Sequence, residues 1–110
     1  MVIHLMTGAV YGMMFAAIAR VLPRRAILPA SALYGLAVFA TAAWVDLPAA
    51  ASITGAGDPI ANMATMVGYP TFALEHLMYG VALGGFLLLT TPALAPAAAD
   101  RAARPTPVAA

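Results

Sequence analysis

The sequence predicts an all-α membrane protein: a three-helix transmembrane bundle with a short interfacial helix in the second connection. Three observations lead there. The chain of 110 residues is 64% apolar and only 8% charged, whereas soluble domains hold about 45–50% and about 25%, and one small domain cannot hide so much apolar surface from water. The apolar residues fall into three runs, each near the roughly 20 residues that cross a hydrocarbon core as a helix. The five basic residues, all arginines, lie at the far end of the first run or after it and after the third, and are missing from the second connection.

The first run, Val2 to Leu22, is interrupted only by His4 and by Arg20 near its far end. A secretory signal carries its positive charges ahead of the apolar stretch; here they come after it, so a retained helix is expected over residues 2–22. Pro23-Arg24-Arg25 reads as a short polar turn. The second helix is expected over 27–47, uncharged until Asp46, with Pro29 in its first turn, where a missing N–H costs little. Trp44 is placed as an interfacial anchor.

Pro48 is expected to open a connection lasting to about Tyr69. Within it Asp58-Pro59 predicts a helix start, Asp as N-cap and Pro at the first helical position, and Gly68 a stop. Ile60, Met63 and Val67 recur at helical spacing, which predicts a short helix lying on the membrane surface, with a re-entrant segment as the alternative. The third helix is expected over 72–91. Nine Leu, Val and Phe residues between Phe72 and Leu89, each worth about −0.3 to −0.6 kcal/mol on insertion, offset Glu75 near the helix start. Residues 1–91 thus form the transmembrane domain. Residues 92–110, rich in Ala, Pro and Arg, lack the apolar bulk to fold alone and read as a flexible tail.

Orientation follows from Arg20, Arg24 and Arg25 after the first helix and Arg101 and Arg104 after the third. The positive-inside rule places the 23–26 turn and the tail in the cytoplasm, and the N-terminus and residues 48–69 outside. A net charge of +1 gives no basic field for nucleic acid. The absence of cysteine excludes disulfides, thiolate metal sites and a cysteine nucleophile.

Two stretches share the pattern H-L-M-x-G-x-x-x-G: His4-Leu5-Met6 with Gly8 and Gly12, and His76-Leu77-Met78 with Gly80 and Gly84. Steps of four keep such residues on one helix ridge, and small-residue ridges let membrane helices approach closely. The middle helix has a weaker version, Ser31-x-x-x-Gly35. Ridge-to-ridge packing of the first and third helices would bring His4 and His76 to one depth, with Glu75 and Asp46 at the same end. Ionisable groups within membrane segments mark function by default. The histidines, flanked by Met6 and Met78, are candidate copper or haem ligands. Against this, methionine is a routine apolar filler, His4 can sit among headgroups, and Glu75 with His76 can be a structural hydrogen-bonded pair. No Ser-His-Asp set, phosphate loop or H-E-x-x-H spacing is present, so no enzymatic activity is expected.

The order of elements resembles the second half of the YagU-like family of small bacterial inner-membrane proteins (domain of unknown function 1440). The resemblance spans about residues 2–90. It rests on a histidine opening an apolar helix, the basic turn at Pro23-Arg24-Arg25, the stretch Ala32-Leu33-Tyr34-Gly35, and a proline-containing loop leading to Glu75-His76-Leu77. Family members carry further sequence upstream and a polar residue in the middle helix, where this chain has Ala and Val. The resemblance implies a bacterial inner-membrane location, highlights His4, Glu75 and His76, and brings no established activity. The expected function is a non-enzymatic accessory or structural subunit, packed in the lipid bilayer against other membrane subunits or as a homo-oligomer. A metal- or haem-binding protein and a small-solute or proton pathway are the alternatives.

Overall fold

A computed structural model describes residues 2–92; the tail beyond Pro92, with Arg101 and Arg104, lies outside the described residues. In chain order the elements are α1 (Val2–Ala19), α2 (Arg24–Thr41), a π-helical turn (Ala42–Asp46), α3 (Leu47–Thr54), α4 (Asp58–Ala61), α5 (Met63–Val67) and α6 (Tyr69–Thr90). Three helical stretches, Val2–Ala19, Arg24–Thr54 and Tyr69–Thr90, are long and apolar enough to cross a membrane. The molecule is therefore an all-α, multi-pass membrane protein with the fold class its sequence predicts.

The centre of the fold is the contact between α2 and α6, which run antiparallel. Ser31 and Gly35 of α2 meet Gly80 and Gly84 of α6, and all four are buried. A Cβ built on Gly80 would lie 3.0 Å from Gly35 Cα, so only glycine permits the backbones to come this close. Gly84 leaves the space that Ser31 occupies. The Ser31 hydroxyl, fully buried, donates to Leu28 O at 2.9 Å and so needs no partner across the interface. At one end of this pair Arg24 donates from Nη1 to Thr91 O (2.8 Å) and from Nη2 to Leu88 O (2.6 Å). Leu88 O is one of the last carbonyls of α6, which have no partner within the helix and carry its negative dipole end, and Thr91 is the residue that caps it.

The other end of the pair is aromatic. Phe39 packs edge to face on Phe72 and Trp44, with centroids at 5.8 and 5.5 Å, and Trp44 stacks on Tyr69 at 5.8 Å. Ala64 of α5 inserts beside Ala43 and Phe72 in the same cluster, which pulls the second connection back over the bundle. α1 stands apart. Phe15 is its one buried residue, set against the Tyr34 ring with centroids 5.0 Å apart.

The helix boundaries depart from the sequence expectations, in three places beside a proline. The expected turn at Pro23-Arg24-Arg25 is a helix start: Pro23 is the N-cap and both arginines lie in the first turn of α2, which moves Pro29 to the helix interior. The expected stop at Pro48 is absent, and the helix continues to Thr54. Leu47 N–H bonds to Ala42 O, five residues back. This wider turn relieves the clash between a proline ring and the carbonyl four residues before it, and Pro48 begins a new α segment in its first turn. Pro70 likewise sits in the first turn of α6, which starts at Tyr69 rather than Phe72. α1 ends at Ala19 instead of Leu22. The expected surface helix is two short pieces broken at Asn62, with Gly57 rather than Asp58 as N-cap. Gly68, at φ +93°, ends the second piece.

Candidate functional site

The 31-residue stretch Arg24–Thr54 is about 46 Å long at 1.5 Å per residue, well beyond a hydrocarbon core of about 30 Å. Its last part, α3, together with α4 and α5, roofs the end of the bundle where α1 and α6 begin. Beneath that roof, between α1 and the α2–α6 pair, is a cavity of about 520 Å³. Its walls are mostly apolar, with Ile3, Val38, Leu47, Ile60 and Phe72 among them, and its polar groups are few: His4, Thr7, Tyr11, Asp46, Thr54, Glu75, His76 and Tyr79. A concave, chiefly apolar space of this size with a few converging polar groups is the usual form of a small-molecule site.

Four of the residues singled out from sequence, His4, Asp46, Glu75 and His76, line this one cavity. His4 and Glu75 are exposed, whereas His76 and Asp46 are partly buried. His76 Nδ1 lies 2.7 Å from Phe72 O. A carbonyl only accepts, so Nδ1 donates this bond. The ring is held edge to face by Phe72, at 4.5 Å between centroids, and by Phe39, at 6.2 Å. Asp46 Oδ2 accepts a hydrogen bond from Tyr11 Oη at 2.7 Å.

Met6 and Met78 do not join them. Both are 64% exposed and are absent from the cavity wall. Among the described residues no three His, Asp or Glu side chains are placed to hold a metal ion together. A ligand bound through protein atoms here has the two imidazoles and the two carboxylates to work with. The described arginines are elsewhere: Arg20 follows α1, and Arg24 and Arg25 open α2, at the opposite end of the bundle.

The glycine ridges pair differently from the sequence expectation. The Gly80–Gly84 ridge packs on Ser31–Gly35 of α2, not on Gly8–Gly12 of α1. Gly8 and Gly12 instead face Tyr79: a Cβ at Gly12 would lie 3.3 Å from the Tyr79 hydroxyl oxygen, and that hydroxyl donates to Gly8 O at 2.6 Å. A bulky side chain sits in the notch where a second helix backbone was expected, and this keeps α1 away from α6 and leaves room for the cavity.

Three tyrosines fasten α1 to the rest, and sequence reasoning passed over them. Tyr79 reaches Gly8 O, Tyr34 donates to Tyr11 O at 2.8 Å, and Tyr11 donates to Asp46. Their signal was present: each of the three long helices contains a Tyr-Gly pair, Tyr11-Gly12, Tyr34-Gly35 and Tyr79-Gly80. A phenol beside a glycine combines a long hydrogen-bonding arm with a close-packing surface on one helix turn. No protein-family model, curated protein or solved structure matches the chain.

Proposed function

We propose that this protein is a non-enzymatic accessory or structural subunit of a membrane assembly. The observation that carries this reading is the state of α1, an 18-residue membrane helix with a single buried residue, Phe15. Its attachment consists largely of three tyrosine hydrogen bonds, and large apolar side chains such as Leu5, Met6 and Met13 are exposed along it. Membrane helices associate through close packing of small residues, and α1 makes no such contact with α2 or α6. Other membrane subunits, or a second copy of the chain, would supply that packing. Purification in mild detergent tests the proposal. Partner subunits retained at fixed stoichiometry support it, and an isolated monomer that keeps full thermal stability would overturn it.

The proposed location is a bacterial cytoplasmic membrane, in keeping with the resemblance to YagU-like proteins. The cavity end faces outward, because Arg20, Arg24 and Arg25 cluster at the other end. A second reading, a metal or haem site on His4 and His76, draws on the Nδ1–H bond of His76. Ligating histidines commonly donate one ring N–H to a carbonyl and bind through the other nitrogen. Metal analysis and a visible spectrum of the purified protein decide it: bound copper or a Soret band lost in His76→Ala supports the reading, and neither signal in the wild type overturns it.

A further inference from the structure

Among the described residues, the aspartate, glutamate and arginine side chains give the cavity one sign of charge. Asp46 and Glu75 line it and no arginine does; the described arginines lie at the other end of the bundle. The tyrosine hydroxyl on Asp46 lessens the cost of a carboxylate in apolar surroundings but brings no positive charge. A ligand can bring one. A bare inorganic ion is a poor match, because among the described residues no three ligating side chains gather around any point and the walls are chiefly apolar. An organic cation matches both properties. Its apolar body would fill a space of about 520 Å³ against Ile3, Val38 and Leu47. Its charge would lie near the carboxylates, with the aromatic side chains of Phe72, Tyr11 and Tyr79 also lining the space.

We propose that this cavity binds a bulky lipophilic organic cation, a quaternary phosphonium or ammonium ion or a protonated hydrophobic amine, with Asp46 and Glu75 providing the selectivity for positive charge. Glu75 is exposed and Asp46 partly buried, and both line the cavity, so the charge of a bound ligand would lie within reach of the two carboxylates. The carboxylates do the work here, not the imidazoles.

Two ions of nearly equal shape and opposite charge separate this proposal from simple hydrophobic partition. The full chain in mild detergent is titrated with tetraphenylphosphonium and, separately, with tetraphenylborate, and bound ligand is measured by equilibrium dialysis against protein-free micelles. Saturable binding of the phosphonium at one site per chain is expected, with none of the borate. Glu75→Gln should weaken phosphonium binding about tenfold, which is the weight of one charge contact of about 1.4 kcal/mol; Asp46→Asn should weaken it at least as much. Glu75 is exposed, so its variant folds even if loss of the Tyr11 bond unfolds the Asp46 variant. Equal binding of both ions, no saturable phosphonium binding, or unchanged affinity in Glu75→Gln overturns the proposal.

Discussion

Gly35 of α2 and Gly80 of α6 face each other so closely that a Cβ on Gly80 would lie 3.0 Å from Gly35 Cα and 3.1 Å from its nitrogen. Gly85, the glycine that follows Gly84 on α6, has nothing within 4 Å of its own Cβ position. Gly80→Ala should therefore force the helices apart, at a cost of about 1–3 kcal/mol typical of overpacking. Gly85→Ala should be neutral or slightly stabilising, since alanine is favoured over glycine in a helix by about 1 kcal/mol. Thermal unfolding of the two variants in the same detergent compares them directly, and equal stability would mean that α2 and α6 do not make this contact.

The Tyr79 and Tyr34 hydroxyls hold α1 through two of its backbone carbonyls. Tyr79→Phe and Tyr34→Phe each remove one bond, worth about 0.5–1.5 kcal/mol, and leave the α2–α6 interface intact. Hydrogen exchange by mass spectrometry should show faster exchange in α1 and no change in α6. Uniform acceleration across both helices would mean that the phenols stabilise the whole bundle rather than fastening α1.

Arg24 and Arg25 are neighbours with different work to do. Arg24 bonds two carbonyls at the end of α6, while Arg25 is exposed and makes no side-chain hydrogen bond among the described residues. Arg24→Ala is expected to lower stability by about 1–3 kcal/mol, for two charge-assisted bonds at a helix terminus. Arg25→Ala should change it by less than about 0.5 kcal/mol. Comparable losses in the two variants would show that charge, not the hydrogen bonds, accounts for the role of Arg24.

The proposed orientation is open to labelling, because the chain contains no cysteine. Ser52→Cys, on exposed α3, and Val21→Cys, exposed between α1 and α2, mark the two ends of the bundle. In intact cells a membrane-impermeant maleimide should modify position 52 and spare position 21 until the membrane is permeabilised. The reverse pattern would put the cavity in the cytoplasm.

Three membrane helices were legible because the bilayer imposes length and apolarity on any helix that crosses it, and Val2–Leu22, Ile27–Leu47 and Phe72–Thr91 satisfy both. The gathering of His4, Asp46, Glu75 and His76 was legible too, because topology alone sends the start of the first and third helices and the end of the second to one side. What sequence could not supply was the identity of the packed pair. Ser31–Gly35 and Gly8–Gly12 are both small-residue ridges, and the choice between them depends on where Tyr79 goes. Prolines misled for a related reason. Pro48 and Pro70 break a helix when they stand in its interior but suit its first turn, and the π-helical bond from Leu47 to Ala42, which gives Pro48 a first turn to occupy, leaves no mark in composition.

That π-helical turn also sets the angular phase of everything after it. A π turn accommodates one residue more than an α turn, so Ala42–Asp46 acts as a one-residue insertion in the middle of a long helix. Removing one residue, for instance Val45, would take out the bulge and keep that phase; drawing the turn into α geometry with every residue retained would instead rotate all that follows by about 100°. Leu47, Ala50 and Thr54 would swing off the cavity wall, Asp46 would lose its aim at Tyr11, and the proline at position 48 would stand in a helix interior. The cavity depends in this way on helical phase as well as on the groups that line it: by absorbing one supernumerary residue, the π turn keeps the roof turned toward the chamber beneath it.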